Sequence, residues 1–217
     1  MRKSFALVSL LAVAALAFAA PVFVAAALSA PLHADDAPKA LAIGTAIPMA
    51  DQKMKNVDGK EVAVADVKGA KGTLVIFTCN ACPYAKAWED RIVALGNEYK
   101  GKGIGVIAVN SNDPGKVAED GYDQMKTRAK EKSFGFPYVV DSTSNVARAY
   151  GATRTPEVFL FDAQGKLVYH GTIDDNSQDP EKVSSRYLSD ALTAVSSGKE
   201  VPVKETKAMG CGIKFRA

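Results

Sequence analysis

The sequence predicts an α/β domain with a central mixed β-sheet flanked by helices. Short β-branched apolar runs alternate with segments of helical period after residue 72, which is the signature of parallel neighbours joined by crossovers. The Asp162-Ala163-Gln164-Gly165 turn joins two further runs as a hairpin, so antiparallel strands enter the same sheet. A final amphipathic stretch closes the domain.

The elements follow in order. Asn56-Val57-Asp58-Gly59-Lys60 is a turn between two short extended pieces, and Val62, Val64 and Val67 suit a small strand or a loop into the core. Residues 73–77 are a buried strand bounded by Gly72. Ala85, Trp88, Ile92, Leu95 and Tyr99 then recur at helical spacing until Gly101 and Gly103. At that spacing Trp88 is a core residue, whereas Glu89 and Asp90 are expected on a solvated face. A strand over 104–109, a more polar helix over 122–132, a strand over 138–141 and a short helix over 145–150 come next. Hairpin strands over 157–161 and 166–170 precede a helix over 183–196, and the last twenty residues are mixed.

Composition excludes several functions. A charged fraction of 24% with 47% apolar residues is that of a folded globular chain. The net charge of +3 is spread along the chain without a basic stripe, so no nucleic-acid partner is expected. Arg2 and Lys3 precede an uncharged, Ala- and Leu-rich stretch over residues 5–30, and small residues surround Leu32-His33-Ala34. This is a secretory leader over residues 1–34, with cleavage before Asp35. Retention as a single N-terminal membrane anchor is the alternative, which Pro21 disfavours by kinking a spanning helix. Either way the remainder is periplasmic or otherwise exported. The expected organisation is an extension with entry strands over 35–72, the main domain over 73–198, and a tail over 199–217 containing Cys211.

In an oxidising compartment, thiols pair or exchange. Cys79 and Cys82 lie where a buried strand becomes a helix, and a helix start offers free N–H groups and positive dipole to a thiolate. A free cysteine titrating near 8.5 is roughly 3% thiolate at neutral pH, and about half if lowered to 7. The N-terminal member usually gains most, so Cys79 is the expected attacking thiolate and Cys82, one turn on, the resolving one. Two inert core thiols, or half of a zinc site, are the competing readings. Zinc or copper lacks further ligands, because His33 falls in the leader and His170 stands alone on a strand. No metal and no organic cofactor is expected.

Val75-Ile76-Phe77-Thr78-Cys79-Asn80-Ala81-Cys82-Pro83-Tyr84, with Arg154-Thr155-Pro156-Glu157-Val158-Phe159-Leu160-Phe161-Asp162 and Gly165-Lys166, resembles the thioredoxin superfamily. The likeness covers roughly residues 40–198. It is narrower toward the exported redoxin and peroxiredoxin-like branch, related to alkyl hydroperoxide reductase and thiol-specific antioxidant. The resemblance implies a thioredoxin fold, a cis Pro156 facing the pair, and Thr155 presenting its backbone to a bound partner. It implies thiol–disulfide oxidoreductase activity on a protein disulfide or thiol partner. Asn80-Ala81 replaces Gly-Pro between the cysteines, and Thr78 replaces the usual tryptophan before them. Those departures leave the direction of electron flow open, and the buried acid that assists thioredoxin's second cysteine has no evident counterpart. An alternative peroxiredoxin-like alignment makes Cys82 a peroxidatic cysteine acting on peroxide, with Cys79 at the hydroxyl position and Cys211 as a candidate resolving thiol. A non-enzymatic binding protein on the same scaffold is the remaining alternative.

Overall fold

Two short strands open the ordered architecture of the computed structural model, which describes residues 39–217. β1 (Met54–Asn56) and β2 (Glu61–Val62) form an antiparallel hairpin. Its turn is held by the Asp58 carboxylate, which accepts the Lys60 N–H at 2.9 Å. The leader and its cleavage site fall outside the described residues. No helix among the described residues is long and apolar enough to cross a membrane.

β3 (Gly72–Phe77) is buried along its whole length and leads through α1 (Pro83–Lys100) to β4 (Ile104–Asn110), its parallel neighbour. α2 (Tyr122–Glu131), β5 (Tyr138–Val140) and α3 (Asn145–Tyr150) follow, with β5 parallel to β4. β6 (Arg154–Thr155) precedes the hairpin of β7 (Glu157–Asp162) and β8 (Leu167–Gly171). α4 (Tyr187–Ser196) and the two-residue β9 (Cys211–Gly212) complete the chain. The main sheet runs β2-β1-β5-β4-β3-β7-β8, and β6 pairs with β9 as a separate ribbon. The expected mixed α/β sheet is therefore present, with β3 antiparallel to β7.

Strand alternation divides the core into two layers. Leu74 and Ile76 face Trp88 and Ile92 of α1, Met125 of α2, and Leu188 and Leu192 of α4. Val75 and Phe77 face the other way, against Val146 and Tyr150 of α3 and Ile213 of the tail. β3 is thus packed on both faces along its whole length.

Some local expectations are revised. Residues 64–67 form a 3-10 turn, because the Asp66 carboxylate accepts the Ala63 N–H at 2.7 Å and draws the chain back on itself. The closing helix begins at Tyr187, four residues late. The Asp175 carboxylate takes the Ser184 and Ser185 N–H groups at 3.0 Å each and keeps that segment out of the helix. Glu89 is buried rather than solvated, since Arg128 of α2 grips both its oxygens at 2.8 and 2.6 Å. Asp90 is exposed and pairs with Lys132.

Candidate functional site

The site is assembled where β3 runs out. Thr78 still donates its N–H to Val109 at 3.0 Å, and residues 79–82 then turn into α1. Pro83 occupies the first helical turn, where its missing N–H costs nothing, and Cys82 is the N-cap residue. Asn80, between the cysteines, is pinned from three directions. Its N–H donates to Asp120 at 2.6 Å, its side-chain amide donates to the Glu119 carbonyl at 2.7 Å, and it accepts from the Tyr138 hydroxyl at 3.0 Å. Burial keeps that phenol protonated. Asp120 is itself buried and also accepts from the Asn110 and Asn112 side chains.

The Thr155–Pro156 peptide is cis and lies opposite the pair. The Thr155 hydroxyl is 3.2 Å from Cys79 Sγ, and the Cys82 thiol donates to the Thr155 carbonyl at 3.0 Å. Glu157 braces this segment from behind. One carboxylate oxygen accepts the Thr153 and Arg154 N–H groups at 2.8 Å each, and the other meets His170 Nε2 at 2.7 Å. His170 is therefore a buried partner of Glu157, stacked on Phe159 at 4.5 Å between ring centroids.

Cys211 joins the pair. Register places it opposite Thr155 across the β6–β9 ribbon, and its N–H points at Cys82 Sγ at 3.4 Å. All three cysteines are free thiols, with Cys79 and Cys82 buried and Cys211 half-buried.

The two inner thiols are shifted in opposite directions. Cys79 is pushed up, first because its thiol is hydrogen-bonded to Cys82, then by burial and by the Asp120 carboxylate. Cys82 is held down to about 4, first by the hydrogen bond from Cys79, against the cost of burial, and further by the Cys211 thiol and the Ala85 and Cys211 N–H groups. The Thr155 carbonyl opposes this charge, since it favours a protonated Cys82. The balance of these groups runs toward a lower pKa at Cys82 than at Cys79. The sequence expectation places the larger gain on Cys79, and the direction here runs the other way. The helix begins at Pro83, four residues after Cys79 and one after Cys82, and the Ala85 N–H of its first turn reaches Cys82.

Among the described residues, no three His, Cys, Asp or Glu side chains are grouped to hold a metal ion. Trp88 is fully buried, donating its indole N–H to Asp174 at 2.7 Å, while Tyr84 is exposed beside the pair. Sequence reasoning missed Asp120, Glu157 and the docking of the tail. A glutamate inside the apolar run over 157–161 was the one visible signal, because a buried carboxylate demands partners.

A family model described as the AhpC/TSA family matches residues 43–170, more than half of the chain. The chain belongs to the AhpC/TSA family. Two solved structures share most of its length. A hypothetical protein of Sinorhizobium meliloti is 32% identical with a TM-score of 0.76, covering 82% of this chain and 97% of that one. An uncharacterized conserved protein of Geobacillus kaustophilus is 37% identical with a TM-score of 0.76, covering 81% and 93%. A thioredoxin-like protein in its oxidised form aligns with a TM-score of 0.56 at 19% identity over 73% of this chain and 97% of that one, a likeness of fold. The thiol–disulfide oxidoreductase ResA of Halalkalibacterium halodurans is 28% identical over 115 residues, or 53% of this chain. That match spans 61% of the relative's own length. The thioredoxin-like fold and the redoxin branch of the superfamily are therefore those of this chain.

Proposed function

We propose that the chain is an exported thiol–disulfide oxidoreductase whose Cys79-Asn80-Ala81-Cys82 pair exchanges disulfides with partner proteins. The observation that carries this reading is the convergence of both sulfurs on Thr155, at 3.2 and 3.0 Å. Two thiols that close, one of them acidic, are what reversible disulfide formation requires. Cys82, the sulfur pulled to the lower pKa, attacks, and Cys79 closes the disulfide and takes part in its release. Thr155 and Pro156 form the edge on which a partner strand docks, because a backbone segment outside the main sheet can accept an added strand. The oxidoreductase name of the ResA relatives supports the same chemistry.

Export rests on the leader over residues 1–34, and it puts the domain in the periplasm or otherwise outside the cytosol, where a disulfide exchanger has substrates. The organisation that goes with this is an entry segment over 35–72, the redox domain over 73–198 and a tail over 199–217.

A second reading, peroxide reduction at Cys82, is favoured by the acidity of that sulfur. Reduction of insulin disulfides by the dithiol form tests the first. Trapping a mixed disulfide in the Cys79→Ser, Cys211→Ser double variant but not in Cys82→Ser is the expected result. Consumption of hydrogen peroxide without insulin reduction would replace exchange by peroxidase activity. Failure of both would leave a binding protein on this scaffold.

A further inference from the structure

The edge on which a partner strand would dock is already covered by the chain's own tail. β9 lies antiparallel on β6, with Thr155 opposite Cys211 and Arg154 opposite Gly212. The approach is close enough that a Cβ on Gly210 would stand 2.2 Å from the Thr155 carbonyl oxygen, so glycine is required there. The strand is fastened at both ends. Upstream, Lys204 accepts the His170 N–H at 2.9 Å and Thr206 donates to His170 at 3.0 Å. Downstream, Ile213 donates to Thr153 at 2.9 Å with its side chain in the core, the Lys214 N–H donates to the Asn112 side-chain oxygen at 2.8 Å, and the Lys214 carbonyl accepts the Asp113 N–H at 2.8 Å. These contacts deliver one thiol to one place. Cys211 packs against Cys79 and Cys82 and makes its backbone contact with the Cys82 sulfur.

We propose that Cys211 is a third redox-active cysteine, presented to the pair as a tethered substrate strand, and that the pair's disulfide passes to Cys82 and Cys211. This rests on the thiol–disulfide reading above. Starting from the Cys79–Cys82 disulfide, the Cys211 thiolate attacks Cys82 Sγ. The Cys82–Cys211 bond forms as the Cys79–Cys82 bond breaks, and Cys79 leaves as a thiolate that takes up the proton Cys211 released. One disulfide is exchanged for another, so no outside oxidant or reductant is consumed. The Thr155 hydroxyl, 3.2 Å away, is placed to donate to the departing Cys79 sulfur. Docking makes the encounter intramolecular, which is where the rate advantage of a tethered thiol comes from. The same contacts make tail and partner compete for one edge. A protein substrate reaches the pair only when residues 209–213 have moved aside.

Trypsin separates the candidate disulfides cleanly. Residues 72–86 contain both Cys79 and Cys82, and residues 208–214 contain Cys211, with lysines at positions 71, 86, 207 and 214. The full chain, Cys79→Ser, Cys211→Ser and Gly210→Ala are each oxidised by diamide at low protein concentration, and the monomer fraction is digested without reduction. Cys79→Ser is expected to yield the cross-linked 72–86/208–214 species as its main oxidised product. The unsubstituted chain is expected to carry the cross-link in more than about a tenth of its oxidised 72–86 peptide, and Gly210→Ala to lose most of it. If 208–214 stays uncross-linked in both Cys79→Ser and the unsubstituted chain while Cys211→Ser closes the bond within 72–86, the third cysteine is refuted and the pair's redox role stands. If Cys211→Ser fails to close that bond as well, the exchange reading itself falls and takes this proposal with it.

Discussion

Replacing Cys79 with alanine removes the neighbouring thiol, the largest of the influences holding Cys82 down to about 4. A hydrogen bond to a charged group contributes about 1.5–3 kcal/mol. At 1.36 kcal/mol per pKa unit, its loss raises Cys82 by about 1–2 units. The remaining donors, the Cys211 thiol and the Ala85 and Cys211 N–H groups, are untouched, so Cys82 stays well below a free cysteine. Thiolate absorbance near 240 nm, or the pH dependence of alkylation, reads the change directly. Cys211 does not confuse the signal, because burial and then the neighbouring Cys82 push it up to about 11. Cys79→Ser retains a hydroxyl donor and is expected to shift less than Cys79→Ala. The stability consequence has a definite sign. Cys82 has a folded pKa below its unfolded value, so its contribution is complete above about 8.5 and is lost as the pH falls toward about 4. Cys79→Ala should flatten the acidic part of that profile. An acidic thiolate that survives in Cys82→Ala, or a Cys82 midpoint unmoved in Cys79→Ala, would refute the lower pKa at Cys82.

Two further substitutions probe the supports of the site. Asp120→Asn replaces a buried acceptor of three N–H groups, among them the Asn80 amide at 2.6 Å, with a neutral one. A loss of about 2–3 kcal/mol by denaturant titration is expected, together with a more acidic Cys79, since the Asp120 charge no longer raises it; unchanged stability would show that Asp120 does not hold the loop. Glu89→Gln breaks a bidentate pair that leaves Arg128 facing a neutral group, at a cost of about 1–3 kcal/mol and a melting temperature lowered by about 2–4 °C for each kcal/mol. Equal melting curves would show the pair to be thermodynamically idle.

How far the sequence reached can be judged from single elements. Helix α1 was legible because Trp88, Ile92 and Tyr99 recur at its period, and Ala85 and Trp88 are buried as that spacing demands. The cis Thr155–Pro156 peptide opposite the cysteines was legible through the family resemblance of the Thr-Pro-Glu-Val-Phe run. Asp120 was not, because nothing local separates an aspartate in a polar loop from one whose carboxylate closes on a loop forty residues earlier. Glu89 was misplaced for the same reason. Its helical position is buried with its charge paired because Arg128 on another helix reaches it.

The sequence by itself determined the alternation of elements, the strand-to-helix junction that carries Cys79 and Cys82, and the hairpin that follows Pro156. Those are properties of spacing and local backbone preference, which act over a few residues. Only the tertiary structure decided which acid holds the Asn80 loop and where Cys211 lies. Each depends on groups brought together across 40 to 129 positions of chain. Side-chain hydrogen bonds and burial at that range are set by the packed sheet and leave no periodic trace in the residues themselves.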